Sequence, residues 1–170
     1  MSQPMIMLGG VPIVLHAGAP EMASQQLEGS AVVRMSNGAG VKMTHWAGKA
    51  AGSISGSGWM PPGLDGLDFS QALELRCTKQ ESVTTTATTV ILGGTPRPDV
   101  KPWALALVRG QWIGTACHYS EGVVTITPVP GALLYSVAWL PVYWVFAAKP
   151  RSSLSAGSAA HGWTLDWEEV

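Results

Sequence analysis

A period of two residues constrains this chain more than any other feature. Ala31, Val33 and Met35 alternate with Ser30, Val32 and Arg34. After Asn37-Gly38-Ala39-Gly40 the alternation resumes, with Val41 and Met43 set against Lys42 and Thr44. Successive side chains on a strand point to opposite faces, so both runs present one apolar face and one mixed face. Asn-Gly between such runs accepts the positive φ of a tight turn. Residues 30–46 are therefore expected to form a half-buried β-hairpin.

The same period recurs along the chain. Leu73, Leu75 and Cys77 alternate with Glu74, Arg76 and Thr78. Trp103, Leu105 and Leu107 alternate with Ala104, Ala106 and Val108, and Trp163, Leu165 and Trp167 with Thr164, Asp166 and Glu168. Residues 83–92 are rich in threonine and β-branched side chains, which suit a pleated surface. Arg109-Gly110 turns the chain into 111–119, and Glu121-Gly122 turns it into 123–127. No stretch carries convincing helical periodicity, although 20–27 is compatible with one short helix. Eight to ten strands without a partner helix make an all-β sandwich or barrel, expected here as a single domain over residues 1–170. No internal repeat is present.

Residues 47–68 read differently. Six glycines between Gly48 and Gly66, with Pro61 and Pro62, predict a long loop insertion. Loops of that length are functional or disordered. This one holds Trp59, Met60, Leu64 and Leu67, too apolar for a solvated linker. Trp59, Met60, Pro61, Pro62, Leu64 and Leu67 are accordingly the expected interface residues.

Two apolar stretches invite other readings. Residues 131–148 carry no charge and precede Lys149 and Arg151, as a membrane helix would. Pro141 interrupts the run, and Tyr135, Val137 and Trp139 alternate with Ser136 and Ala138, so two buried strands are expected. Residues 6–15 precede Ala17-Gly18-Ala19, which looks like a signal-peptidase site, yet no Lys or Arg occurs before Arg34. No cleaved signal is expected.

Only 12% of residues are charged, ten basic and eleven acidic, against roughly 25% in ordinary soluble domains. Eight tryptophans and seven methionines, types enriched at interfaces, strengthen the impression of a surface meant to be covered. The net charge of −1 offers no pull toward nucleic acid.

Chemistry is sparse. His16, His45, His118 and His161 form no pair at metal-ligand spacing. Cys117 and His118 are adjacent, so a strand sends them to opposite faces. Cys77 and Cys117 read as free thiols in a reducing compartment. Asp65 and Asp68 read as turn-capping residues. Residues 52–58 lack the Lys-Ser/Thr of a phosphate-binding loop and the central serine of a nucleophile elbow. No catalytic, cofactor or metal residue is expected. Trp59, Trp103 and Trp112 leave open a sugar-stacking platform in place of core or interface packing.

Three segments together carry a family resemblance. They are residues 7–16, the hairpin 30–46 running into Ser53-Ile54-Ser55-Gly56-Ser57-Gly58-Trp59-Met60-Pro61-Pro62-Gly63-Leu64-Asp65, and the terminal Trp163-Thr164-Leu165-Asp166-Trp167-Glu168-Glu169-Val170. Their texture resembles the tail-tip and baseplate structural proteins of long-tailed bacteriophages, of the distal-tail or tail-tube-like kind. The resemblance implies a virion protein assembled in the host cytoplasm. It would form a homo-oligomeric ring between the tail tube and hub or fibre proteins, without enzymatic activity, cofactor, nucleic-acid specificity or membrane. The alternative is a carbohydrate- or receptor-binding β-sandwich module of a virion.

Overall fold

The computed structural model describes residues 4–170. The strands are β1 (Met7–Leu8), β2 (Val11–Pro12), β3 (Glu21–Arg34), β4 (Gly40–Gly58), β5 (Leu73–Arg76), β6 (Glu81–Thr85), β7 (Thr89–Ile91) and β8 (Thr95–Pro96). They continue as β9 (Trp103–Val108), β10 (Gln111–Thr115), β11 (Cys117–Ser120), β12 (Val123–Ile126), β13 (Ala132–Trp139), β14 (Pro141–Ala147), β15 (Arg151–Ser155) and β16 (Ala160–Glu169). The only helical element among the described residues is the single 3-10 turn Leu15–Ala17. The all-β expectation holds, and the sheets are built from antiparallel pairs. Residues 20–27, compatible with a helix by sequence, belong to β3, where fourteen rungs shared with β4 override weak local preference.

Contacts divide the chain into two compact units: Met1–Pro12 with Glu74–Tyr143, and Ile13–Leu73 with Trp144–Val170. In the first, a four-stranded sheet (β10-β9-β13-β6) and a three-stranded sheet (β11-β12-β7) share one core, a β-sandwich. Ala104, Ala106, Tyr135, Val137 and Trp139 come from one sheet, and Val90, Val124 and Ile126 from the other. Residues 83–92 and 111–119, each read as one run, break at 86–88 and at Ala116, because the two halves belong to different sheets. The β9–β10 and β11–β12 hairpins close on the expected dipeptides. Arg109 and Glu121 take φ of 50° and 48°, with Gly110 and Gly122 at 79° and 84°, the left-handed pair of a two-residue turn. The uncharged run 131–148 is strand, as expected: β13 and β14, parted at Leu140, with Pro141 at the first position of its strand.

The first unit also buries one charge. Arg97, 3% exposed, donates from Nε and Nη2 to the Asp99 carboxylate at 2.9 and 2.7 Å. Its Nη1 donates to the carbonyls of Met5 and Cys77 at 2.8 and 3.0 Å. A planar fork ties three distant segments together, and its pairing is what makes a buried guanidinium tolerable.

In the second unit β16 is central. β4 pairs with it from His161↔Gly58 to Glu168↔Ala51, β3 lies beyond β4, and β15 and the end of β14 share the opposite edge. Trp163, Leu165 and Trp167 are buried on one face with Ile54 and Ala50. This unit corrects the expected loop 47–68. Residues 47–58 are strand, and only 59–72 run without one. The glycines serve a packing purpose: Trp163 pairs with Gly56, and a β-carbon there would sit 2.8 Å from the indole ring. A glycine opposite a tryptophan lets the ring lie flat across the partner backbone. The indole Nε1 then donates to the Ala17 carbonyl at 2.7 Å.

Candidate functional site

The β3–β4 ribbon outruns the body that supports it. From Gly58 to Ala51 its β4 edge pairs with β16, but from Glu28 through Trp46 nearly every residue is exposed on both sides. Register in this arm pairs Gly29 with Trp46, Ala31 with Met43, Val33 with Val41 and Arg34 with Gly40. One-residue bulges between Leu27/Glu28 and Gly29/Ser30 lie at its root, where extra residues raise the twist and re-aim the ribbon. At the tip, Asn37 accepts the Ala39 N–H at 3.1 Å, a turn bond made by the side chain.

The two faces of the arm differ as the alternation predicts. Ala31, Val33, Val41 and Met43 share one face, and Trp46 lies across Gly29. The other face holds Ser30, Val32, Lys42 and Thr44, with Lys42 paired to Glu28 at 2.6 Å. The Lys42 ammonium and the Ser30 hydroxyl hold the Glu28 carboxyl below its ordinary range. The expected half-burial is absent: Val33 is 49% exposed, Met43 54% and Trp46 50%. This contiguous apolar face is the candidate interaction surface. Sequence reasoning identified this hairpin and expected the interface in the following segment, at Trp59, Met60, Pro61, Pro62, Leu64 and Leu67.

That segment is largely occupied by its own chain. Leu64 and Pro62 are buried, Met60 and Leu67 half-buried, and only Trp59 and Pro61 face outward. Trp59 is 68% exposed and meets His16 edge-to-face, ring centroids 5.5 Å apart. Asp68 caps its own turn, accepting from the Ser70 N–H at 3.0 Å and the Ser70 hydroxyl at 2.6 Å, and these bonds lower its pKa. Asp65 forms an exposed pair with Lys149 at 3.1 Å.

Beside the arm, the outer face of the second unit's sheet forms a shallow trough. Ala23, Gln25, Ala51 and Ser53 make its floor, with Phe146, Asp166 and Glu168 along one side. Arg151 reaches over the same face to Asp166 at 2.7 Å. Small side chains keep the floor low, while exposed Trp144 and Phe146 give its flank apolar surface.

The polar groups elsewhere do not converge. Among the described residues no three His, Cys, Asp or Glu side chains are grouped to hold a metal ion. No helix among them is long and apolar enough to cross a membrane. Cys77 and Cys117 are free. Burial pushes the Cys77 thiol up to about 12, helped by the Glu81 carboxylate, and burial also raises Cys117. Cys117 is half-buried and its neighbour His118 exposed, on opposite faces of β11. Trp103 is half-buried on β9, and Trp112 on β10 stands opposite Leu107. No family model matches the chain, nor does any curated protein or solved structure.

Proposed function

We propose that this chain is a structural, non-catalytic subunit that joins copies of itself into a closed ring. The role fits a tail-tip or baseplate subunit of a long-tailed bacteriophage, placed between tube and hub or fibre proteins in the virion and assembled in the host cytoplasm. One observation carries the assembly reading: the bare apolar face of the β3–β4 arm. Seven-residue strands rising ~3.3 Å per residue and ~5 Å apart give that face roughly 230 Å². At ~25 cal/mol per Å² its burial contributes about 6 kcal/mol. That lies within the ~4–15 kcal/mol cost of association, so one arm alone is marginal, and a ring giving each subunit two contacts suits it better. Low charge density acts in the same direction by weakening repulsion between copies.

Native mass spectrometry and negative-stain microscopy of the purified chain test the reading. A single closed oligomer with a central opening is expected, and monomer alone across the micromolar range contradicts it. The exposed Trp59 and Trp112 favour a second reading, a glycan-binding module. In that case added glycans change tryptophan fluorescence while the chain stays monomeric.

A further inference from the structure

We infer that two copies of this chain join edge to edge along β3 of the arm, residues 28–34 pairing antiparallel about a two-fold axis through Ala31. The inference rests on the ring reading and supplies one of the two contacts that each subunit makes there.

β3 is the last strand of its sheet, and among the described residues no strand pairs with the outer edge of 28–34. Met35 donates to the Ala39 carbonyl at 2.9 Å, so 35 and 39 form a hydrogen-bonded pair of the hairpin. By alternation Val33 and Ala31 also turn their N–H and C=O toward β4. Glu28, Ser30, Val32 and Arg34 therefore turn theirs outward, a row that templates another strand. The opposite edge of the arm is guarded. β4 carries Lys42 and the two bulge residues, His45 and Gly48. At its root Lys49 donates to the Val170 carbonyl, and the Ala50 N–H to the Glu169 carboxylate at 2.8 Å. Because both bulge residues belong to β4, β3 runs regular from 28 to 34.

That row is complementary to itself. A two-fold axis normal to the ribbon keeps the apolar faces of both arms on one side, so it opposes only residues of like parity. Glu21 is thereby excluded as a partner for Arg34, and Glu28 is not. Centring the axis on Ala31 sets Arg34 opposite Glu28 of the second copy and Val32 opposite Ser30. Counted from both copies, these rungs give about eight inter-chain hydrogen bonds. The Glu28 carboxylate keeps one oxygen for a second cation, since Lys42 and Ser30 both donate to Oε1, at 2.6 and 2.9 Å. Arg34 belongs to no ion pair among the described residues. On the apolar face Val33 meets Gly29 of the second copy, over which the Trp46 indole lies.

Each of these hydrogen bonds replaces one to water and gains little net. At micromolar concentration the edge therefore holds only while the apolar face beside it is covered as well. An isologous edge joins copies two by two, so the ring has an even number of subunits.

The experiment uses the full chain in a Cys117→Ser background, Cys77 being buried. Ala31 would face its own copy in a non-hydrogen-bonded pair, with Cα atoms ~4.5 Å apart and within disulfide reach. Ala31→Cys chains should therefore cross-link to one another under mild oxidation. Val33→Cys, on the same face but ~14 Å from its copy, should not. Val32 has its N–H on the open edge, so Val32→Pro spares the β3–β4 ladder. It should weaken assembly about tenfold with circular dichroism unchanged. Arg34→Glu and Glu28→Arg should each weaken assembly about fivefold, and the two together in one chain should restore it to within about twofold. Cross-linking at Val33→Cys in place of Ala31→Cys, or an odd number of subunits by native mass spectrometry, overturns the inference. If the wild type forms a ring but Ala31→Cys does not cross-link and Val32→Pro assembles normally, this inference fails while the ring reading stands. A wild type that stays monomeric overturns both.

Discussion

Arg97→Met should be among the most damaging single changes in the first unit, although it removes a charge from the interior. Methionine fills a similar volume, so the loss is one of hydrogen bonds. The Met5 and Cys77 carbonyls would lose the Nη1 donor. A buried acceptor without a partner costs about 1–3 kcal/mol. Asp99 would lose both its bonds, but its side chain is 42% exposed and water can replace them, so little is added there. Relief from burying the guanidinium offsets part of the total. The balance is about 2–4 kcal/mol, and at ~2–4 °C per kcal/mol for a chain of this size, a fall in Tm of roughly 4–16 °C. Thermal and urea unfolding followed by circular dichroism would read it. Arg97→Lys should fall between the two, since an ammonium keeps the charge but cannot reproduce the fork. Stability of Arg97→Met within about 0.5 kcal/mol of wild type would refute the reasoning, because the desolvation cost would then equal everything the fork provides.

The other expectations separate core from surface. Trp163→Ala, at a side chain 3% exposed and bonded to Ala17, should cost about 3–5 kcal/mol, whereas Trp46→Ala should barely move the melting transition. Cys77, with its thiol pushed up to about 12, should resist a thiol reagent in the folded protein at pH 8 and react fully once urea unfolds it. Asp99 has its pKa lowered, chiefly by the Arg97 hydrogen bonds. Its stabilisation is therefore complete above the ordinary aspartate pKa near ~4 and lost as pH falls through the lower folded value. Urea midpoints measured from pH 7 to 3 should show a smaller acid-side drop in Asp99→Asn than in wild type.

What was legible depended on how local the determinants are. Alternation around Asn37-Gly38 foretold the hairpin and the makeup of both faces, since strand periodicity is a property of neighbours in sequence. That the apolar face would be bare could not be read locally, for burial depends on what the rest of the chain brings to it. The glycine at 56 was misread for the same reason. A glycine accommodating an indole looks like a turn glycine until its partner, here Trp163 more than a hundred residues away, is known. Leu64 and Pro62 likewise looked available to a neighbouring molecule and are buried. Arg97 sits between two prolines in a stretch that reads as plain loop. Nothing nearby announces that its partners are Met5 and Cys77.

The most direct test of the central claim is sedimentation velocity of the wild-type chain beside Met43→Glu, at matched micromolar concentrations. Met43 is exposed, so the substitution leaves folding intact, yet it places a charge in the middle of the face said to be covered. The account predicts an oligomer for the wild type and a folded monomer for the variant, with unchanged circular dichroism. A wild type that sediments as a monomer, or a variant that assembles as well as the wild type, would contradict it.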